Sequence, residues 1–246
     1  MDRGPTRFCH VILSCCVSLQ ADPSSDPMCG RAILTTSPED LREFFDLHEM
    51  PELIPRFNIA PTQPVAVIRQ PHRLELLRWG LPSAPGGGIN VRAETVARAP
   101  AYRSSFRTRR CLVIVDGFYE WKREGKNKQP FLIQRPDKKP FALAGIWDSS
   151  VSSVGEVIES CAIITRNAAG PVAELHDRMP VILPPRSYAS WLDANSLNAV
   201  QLLVPQETEL LLKAVSPLVN NPANDDARCL EPRGEGLLVG ENRTLF

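Results

Sequence analysis

Four short stretches place chemically capable side chains in otherwise apolar, turn-rich surroundings: "MCGR" (28–31), "NVRAET" (90–95), "DGFYEW" (116–121) and "LHDRMP" (175–180). With Met28 internal, Cys29 is one more thiol; with Met28 as the start of the mature protein, Cys29 gains a free amine beside its thiol. Glu120 stands between Tyr119 and Trp121, and strict alternation puts it on the face of Phe118. A carboxyl desolvated by aromatic rings has a raised pKa suited to general acid–base work. The alternative is a rim glutamate paired with Lys122. In an extended segment Asn90 and Arg92 share a side, where an amide and a guanidinium can hold a sugar or a phosphate; otherwise Asn90 caps a turn and Arg92 pairs with Glu94. His176 lies among strand and turn signals. It is a natural proton shuttle near neutral pH or a satisfied structural histidine. Asp177 and Arg178 form a local pair, or Arg178 contacts a phosphate.

The elements that must position these groups are short. Ser37 as N-cap, Pro38, Glu39 and Asp40 open a helix whose buried face is Leu41, Phe44 and Phe45. "RFNIAPTQ" is a turn-rich segment in which Pro61 and Pro64 forbid a helix. "VAVIR", "LELLRWG", "CLVIVDGFYEW", "PFLIQ", "FALAGIW", "SCAIIT" and "MPVIL" are strands. "AAGPVAELH" holds a short helix, and "PRSYASWL", "SLNAVQLL" and "ETELLLKA" read as short C-terminal helices. Many short strands with helices at both ends predict an α+β fold: one domain built on a bent or barrel-like, mainly antiparallel sheet. "PSAPGGG" (82–88) is a low-complexity loop.

Net charge is zero, so bulk charge gives no pull toward nucleic acid, yet basic residues are segregated into "RAPAYRSSFRTRR" (98–110) and 122–139. Such a band binds a phosphate backbone locally or is a solvated surface. The seven cysteines show no zinc-type spacing and no disulfide framework, so neither a metal nor a cofactor is expected, and a cytoplasmic setting follows. Residues 1–27 differ in composition from the remainder and are read as a disordered or non-native leader before a domain at 28–246. His10 breaks its apolar stretch, and no run reaches the roughly 20 apolar residues of a membrane span.

Taken in order, "MCGR…RFNIAPTQ…LRWGL…NVRAETV…DGFYEWK…FALAGIW…ITRNA…LHDRMPVIL…VNNPANDD" resembles the SRAP family, the abasic-site processing proteins, from Met28 to about Pro232. The resemblance implies the SRAP fold and a DNA-damage function on single-stranded DNA that contains abasic sites, associated with the nucleoid and exerted by a monomer. It implies a catalytic set of Cys29, Asn90, Glu120 and His176. Cys29, at a free N-terminus, joins the opened abasic sugar in a thiazolidine; Asn90 orients that sugar, Glu120 manages protons at the amine, and His176 serves ring opening and the imine steps. Arg31, Arg92 and Arg178 become phosphate contacts, with Trp79 stacking on a base or packing. Strand cleavage by a lyase route and autopeptidase action are secondary expectations. The competing readings are a cysteine peptidase acting on its own leader, and a non-covalent single-strand-binding module.

Overall fold

The computed structural model describes residues 29–84, 88–125, 127–196, 198–204 and 208–233. The proposed leader and the centre of the Gly-rich loop lie outside the described residues. Among the described residues, thirteen strands form two sheets. The larger contains β3 (Pro64–Gln70), β4 (Arg73–Trp79), β6 (Arg110–Val115), β9 (Phe141–Val151) and β10 (Val157–Asn167), paired around a ring in the order β10–β4–β3–β6–β9. Because β10 pairs with both β9 and β4, this ring closes into a barrel. All its pairings are antiparallel except β10–β4. β5 (Asn90–Arg92), β11 (Arg178–Pro180) and β12 (Ile182–Leu183) attach to β10, β10 and β9 respectively.

The second sheet runs β13–β8–β7–β1–β2, from β13 (Leu211–Ala214), β8 (Asn127–Gln134), β7 (Gly117–Glu124), β1 (Ala32–Leu34) and β2 (Arg56–Ile59). The helices are short: α1 (Pro38–Phe45), α2 (Ala93–Val96), α3 (Arg103–Thr108) and α4 (Tyr188–Leu192). The expected helix start is in place, with the Asp40 amide donating to Ser37 Oγ at 3.1 Å. The α+β fold with a barrel-like antiparallel sheet is therefore borne out.

The single strand expected over "CLVIVDGFYEW" breaks at Asp116 into β6 and β7, which lie in different sheets, and two further segments differ from expectation. Within "ETELLLKA", Leu211–Ala214 form strand β13, not a helix; their backbone pairs with β8 from Leu211 opposite Gln134 to Ala214 opposite Phe131. A neighbouring strand edge supplied in space outweighs the helix propensity of leucine, lysine and alanine. "RFNIAPTQ" is strand β2 followed by a turn, because β1 lies beside it with Ala32 opposite Ile59.

Barrel closure leaves no room at Gly145, which faces Cys111 on β6 and Ile163 on β10. A Cβ there would lie 2.8 Å from Cys111 Sγ and 2.9 Å from Val113 Cγ2. Gly145→Ala will thus destabilise the protein by about 1–3 kcal/mol through overpacking, read as a lower urea midpoint at unchanged slope.

The two sheets are joined where β6 passes into β7. Asp116, buried at that junction, accepts from the Thr35 amide (2.5 Å) and hydroxyl (2.9 Å) and from the Thr36 amide (2.9 Å) and hydroxyl (2.6 Å). These charge-assisted bonds lock the exit of β1 to the entrance of β7. The chain around residue 29 is thereby fixed relative to Glu120.

Candidate active site

β7 alternates between two cores. Phe118 packs in the larger one together with Cys29, whereas Tyr119 lies in a smaller one with Ile33, Leu132, Val215, Val219 and Cys229, and Trp121 packs against that. The alternation turns Glu120 to the Phe118 side, as the sequence predicts, and leaves it 2% exposed. There the backbone N–H of Cys29 donates to Glu120 Oε1 at 2.9 Å, across 91 residues of chain. Glu120 is therefore not a rim residue on Lys122.

Cys29 is itself 2% exposed, and its φ is +44°, an uncommon value for a residue with a Cβ. Burial pushes the thiol well above its ordinary pKa, and the Glu120 carboxylate adds to the effect by charge and by hydrogen bonding. At neutral pH the sulfur is held as a thiol. Peptidase cysteines need the opposite environment, one that favours thiolate.

Cys111 and Cys161 are raised by burial as well, Cys161 to about 12. Unfolded thiols lose their protons near pH 8.5, so above that pH the unfolded chain binds fewer protons than the folded one. Stability conferred by these neutral thiols is fully present below about pH 8.5 and declines as pH rises toward 12. Thermal midpoints measured across this range will fall, and the double variant Cys111→Ala/Cys161→Ala will show a shallower alkaline slope.

Asn90, Arg92, His176 and Arg178 gather at the C-terminal end of β10. β5 runs parallel to it, with Asn90 opposite Ile163 and Arg92 opposite Thr165. Val91 is buried, Asn90 half-buried and Arg92 exposed, so Asn90 and Arg92 do share the side opposite Val91. β11 lies on β10's other flank, with Arg178 opposite Asn167. His176, two residues earlier, is half-buried, and its Nδ1 lies 3.1 Å from the Arg178 amide and 2.8 Å from Asp177 Oδ1. When Nδ1 accepts from that amide, the proton sits on Nε2; when Nδ1 is protonated, it donates to Asp177. Both contacts fall on Nδ1.

Arg178 pairs with Glu94 and not with Asp177, and its guanidinium is engaged inside the protein rather than presented at the surface. It is 6% exposed and makes a two-pronged pair with Glu94, Nη1–Oε1 at 2.6 Å and Nη2–Oε2 at 2.9 Å. It also donates to the Thr165 carbonyl and Asn167 Oδ1. The pair holds the Glu94 carboxyl below the usual range, and Glu94 is engaged by Arg178 rather than reserved for Arg92. The stacking role for Trp79 is also corrected: it is fully buried, and its indole N–H donates to the Ile89 carbonyl at 3.0 Å, so it packs.

Arg31 is half-buried, donating to Asn58 Oδ1 at 2.9 Å and to the carbonyls of Val219 and Asn220, with its guanidinium near the Trp121 ring. It clasps rather than reaches outward. Asn58, fully buried, donates to the carbonyls of Val219, Asn221 and Asn224, and Asp225 accepts from the amides of Phe57 and Asn58 and from Arg56. These groups, with Asp116, were not singled out from the sequence as structural. The only signal was that "RFNIAPTQ" and "NNPANDD" both carry turn-type amides and acids, with nothing in the spacing to join them. The arginine band divides likewise: Arg98, Arg103 and Arg107 are exposed, whereas Arg110 is buried and donates to the carbonyls of Phe106, Arg107, Trp191 and Asp193.

A closed barrel with a second sheet laid beside it, carrying a buried cysteine–glutamate pair, is the class of domain seen here. A solved Bordetella bronchiseptica protein has this fold, with a TM-score of 0.68 and 26% identity over 76% of this chain and 100% of that one. Residues 28–222 match the family described as SOS response associated peptidase (SRAP), and the chain belongs to that family. It is 35% identical to the abasic site processing protein YoaM of Bacillus subtilis, over 83% of this chain and 98% of that one. It is 31% identical to the abasic site processing protein YedK of Escherichia coli, over 83% of this chain and 100% of that one. Among the described residues, no helix is long and apolar enough to cross a membrane.

Proposed function

We propose that this protein processes abasic sites in single-stranded DNA by forming a covalent adduct through Cys29 as its N-terminal residue. The observation that carries this reading is the bond from Cys29 N to Glu120 Oε1 at 2.9 Å in a buried setting. A backbone nitrogen aimed at a buried carboxylate is an ordinary strand contact when it is an amide. As a terminal amine, it has a proton acceptor at hand. The φ of +44° at Cys29 supports the same reading, because that torsion constrains the residue only while a peptide bond precedes it. The family match begins at residue 28, one position before the cysteine.

These residues support the following chemistry. Glu120 takes a proton from the terminal ammonium, and the amine adds to the C1 aldehyde of the ring-opened deoxyribose. Loss of water gives an imine. Sγ then adds to the imine carbon and the thiol proton passes to nitrogen, closing a five-membered thiazolidine. A thiol held neutral by burial suits this order, since the amine must react first and the sulfur then acts at high effective concentration. His176 shuttles the proton of sugar ring opening and dehydration, and Asn90 orients the sugar. The exposed Arg92, Arg98, Arg103 and Arg107 supply phosphate contacts. The raised thiol weighs against the peptidase reading.

Intact-mass analysis of the protein from its own host, with denaturing electrophoresis after incubation with abasic and intact single-stranded DNA, tests the proposal. A mature chain beginning at Cys29 and a boiling-resistant shift only with abasic DNA are expected. A mature species retaining Met28, or a shift equal on both DNAs and lost on denaturation, overturns it.

A further inference from the structure

Asp46, His48 and His72 form a cluster that the proposed reaction does not use. His72 Nδ1 lies 3.0 Å from Asp46 Oδ2, and His48 Nε2 lies 3.8 Å from Asp46 Oδ1. The two imidazole centroids are 4.6 Å apart with planes 8° from parallel. One donor atom from each residue fits within 4.8 Å of the others. Sequence spacing hides this group, because zinc motifs place ligands a few residues apart, whereas Asp46 and His72 are separated by 26.

The backbone builds the arrangement. Asp46 is the left-handed C-cap of α1, and His72, also left-handed at φ +64°, sits at the tip of the β3–β4 hairpin. The amides of His48 and Glu49 donate to the His72 carbonyl at 2.8 and 3.1 Å, and the Leu74 amide donates to the Glu49 carbonyl at 2.9 Å. The segment after α1 is thus zipped to the hairpin tip, and both imidazoles are brought against one carboxylate.

We propose that this cluster is a binding site for a late first-row divalent cation, zinc foremost, held by the Asp46 carboxylate and the two imidazoles with water completing the shell. Two imidazoles and one carboxylate are the donor set such ions favour. Ligand atoms 3.0 Å apart subtend roughly 95° at an ion about 2.0–2.1 Å from each, so the His72–Asp46 edge is already set. Without an ion, His72 Nδ1–H donates into this edge, 2.8 Å from the Asp46 carbonyl. Ligation displaces that proton from Nδ1, and the neutral ring carries its proton on Nε2 instead, with no net proton released. His48, 70% exposed, turns out of the stack to bring Nε2 onto the ion. The ion then clamps the end of α1 to the β3–β4 hairpin.

The test is a zinc titration of the full chain against the triple variant Asp46→Asn/His48→Gln/His72→Asn. Asparagine tolerates the left-handed backbone at 46 and 72, so the metal-free fold is retained; equal melting curves in EDTA check this. The wild type is expected to bind one equivalent more than the triple variant and to melt higher with zinc. Each single variant is expected to weaken that equivalent by at least roughly tenfold. Cobalt in the same site is expected to give ligand-field bands without thiolate charge transfer, which separates it from cysteine binding. Equal stoichiometry in both proteins, or cobalt spectra of thiolate type only, overturns the proposal.

Discussion

Alanine at Cys29 will eliminate the boiling-resistant adduct with abasic single-stranded DNA, reducing its yield by at least about 100-fold. The size of the effect follows from what the side chain contributes. An N-terminal alanine keeps the amine and its bond to Glu120, so an imine still forms, but nothing closes on it and water reverses it. Borohydride added during incubation will therefore trap an adduct with Cys29→Ala, whereas the unreduced sample will show none. Glu120→Gln keeps a hydrogen-bond acceptor 2.9 Å from the nitrogen but removes the proton acceptor, so adduct formation will slow by about 100-fold while the end product stays stable. An undiminished, boiling-resistant adduct with Cys29→Ala would sink the thiazolidine reading. Loss of both the trapped and untrapped adducts, with N-terminal processing intact, would overturn an imine formed by the terminal amine before the thiol acts.

Removing Arg178 will cost stability rather than DNA contact. Arg178→Ala breaks the two-pronged pair with Glu94 and strands the Thr165 carbonyl and Asn167 Oδ1. A wholly buried pair broken on one side costs about 3–5 kcal/mol. Here the Glu94 side chain is 47% exposed and rehydrates, so about 2–3 kcal/mol is the expected loss. For a chain of this size that lowers the melting midpoint by about 4–12 °C. Arg178→Lys will recover only part of it, because one ammonium cannot match a carboxylate with two parallel bonds. The exposed Arg92→Ala will do the reverse, leaving the midpoint unchanged and flattening the salt dependence of DNA binding by about one phosphate contact. An unchanged melt with Arg178→Ala, joined to weaker DNA binding, would return Arg178 to the phosphate-contacting set.

Much of the site was legible in the chain. Alternation alone put Glu120 with Phe118 and away from Tyr119, because a strand has a period of two and the apolar residues around it are unambiguous. The same rule paired Asn90 with Arg92. Reach was not legible. Arg178 was read beside Asp177 because they are neighbours in sequence, yet β5 and β11 flank β10 and bring Glu94 to it from 84 residues away. Trp79 read equally as a stacking or a packing residue, and barrel closure decided for packing.

Local pattern and motif order suffice for the strand-rich fold, the alternating faces of β5 and β7, the helix start at Ser37 and the family. The tertiary structure alone decided which nitrogen meets Glu120, which arginines are spent inside, and that Asp46 and His72 share one corner. Those facts depend on long-range pairing, where the energy gained by joining two strands or burying an ion pair is a property of neighbours in space and leaves no periodic mark on the chain.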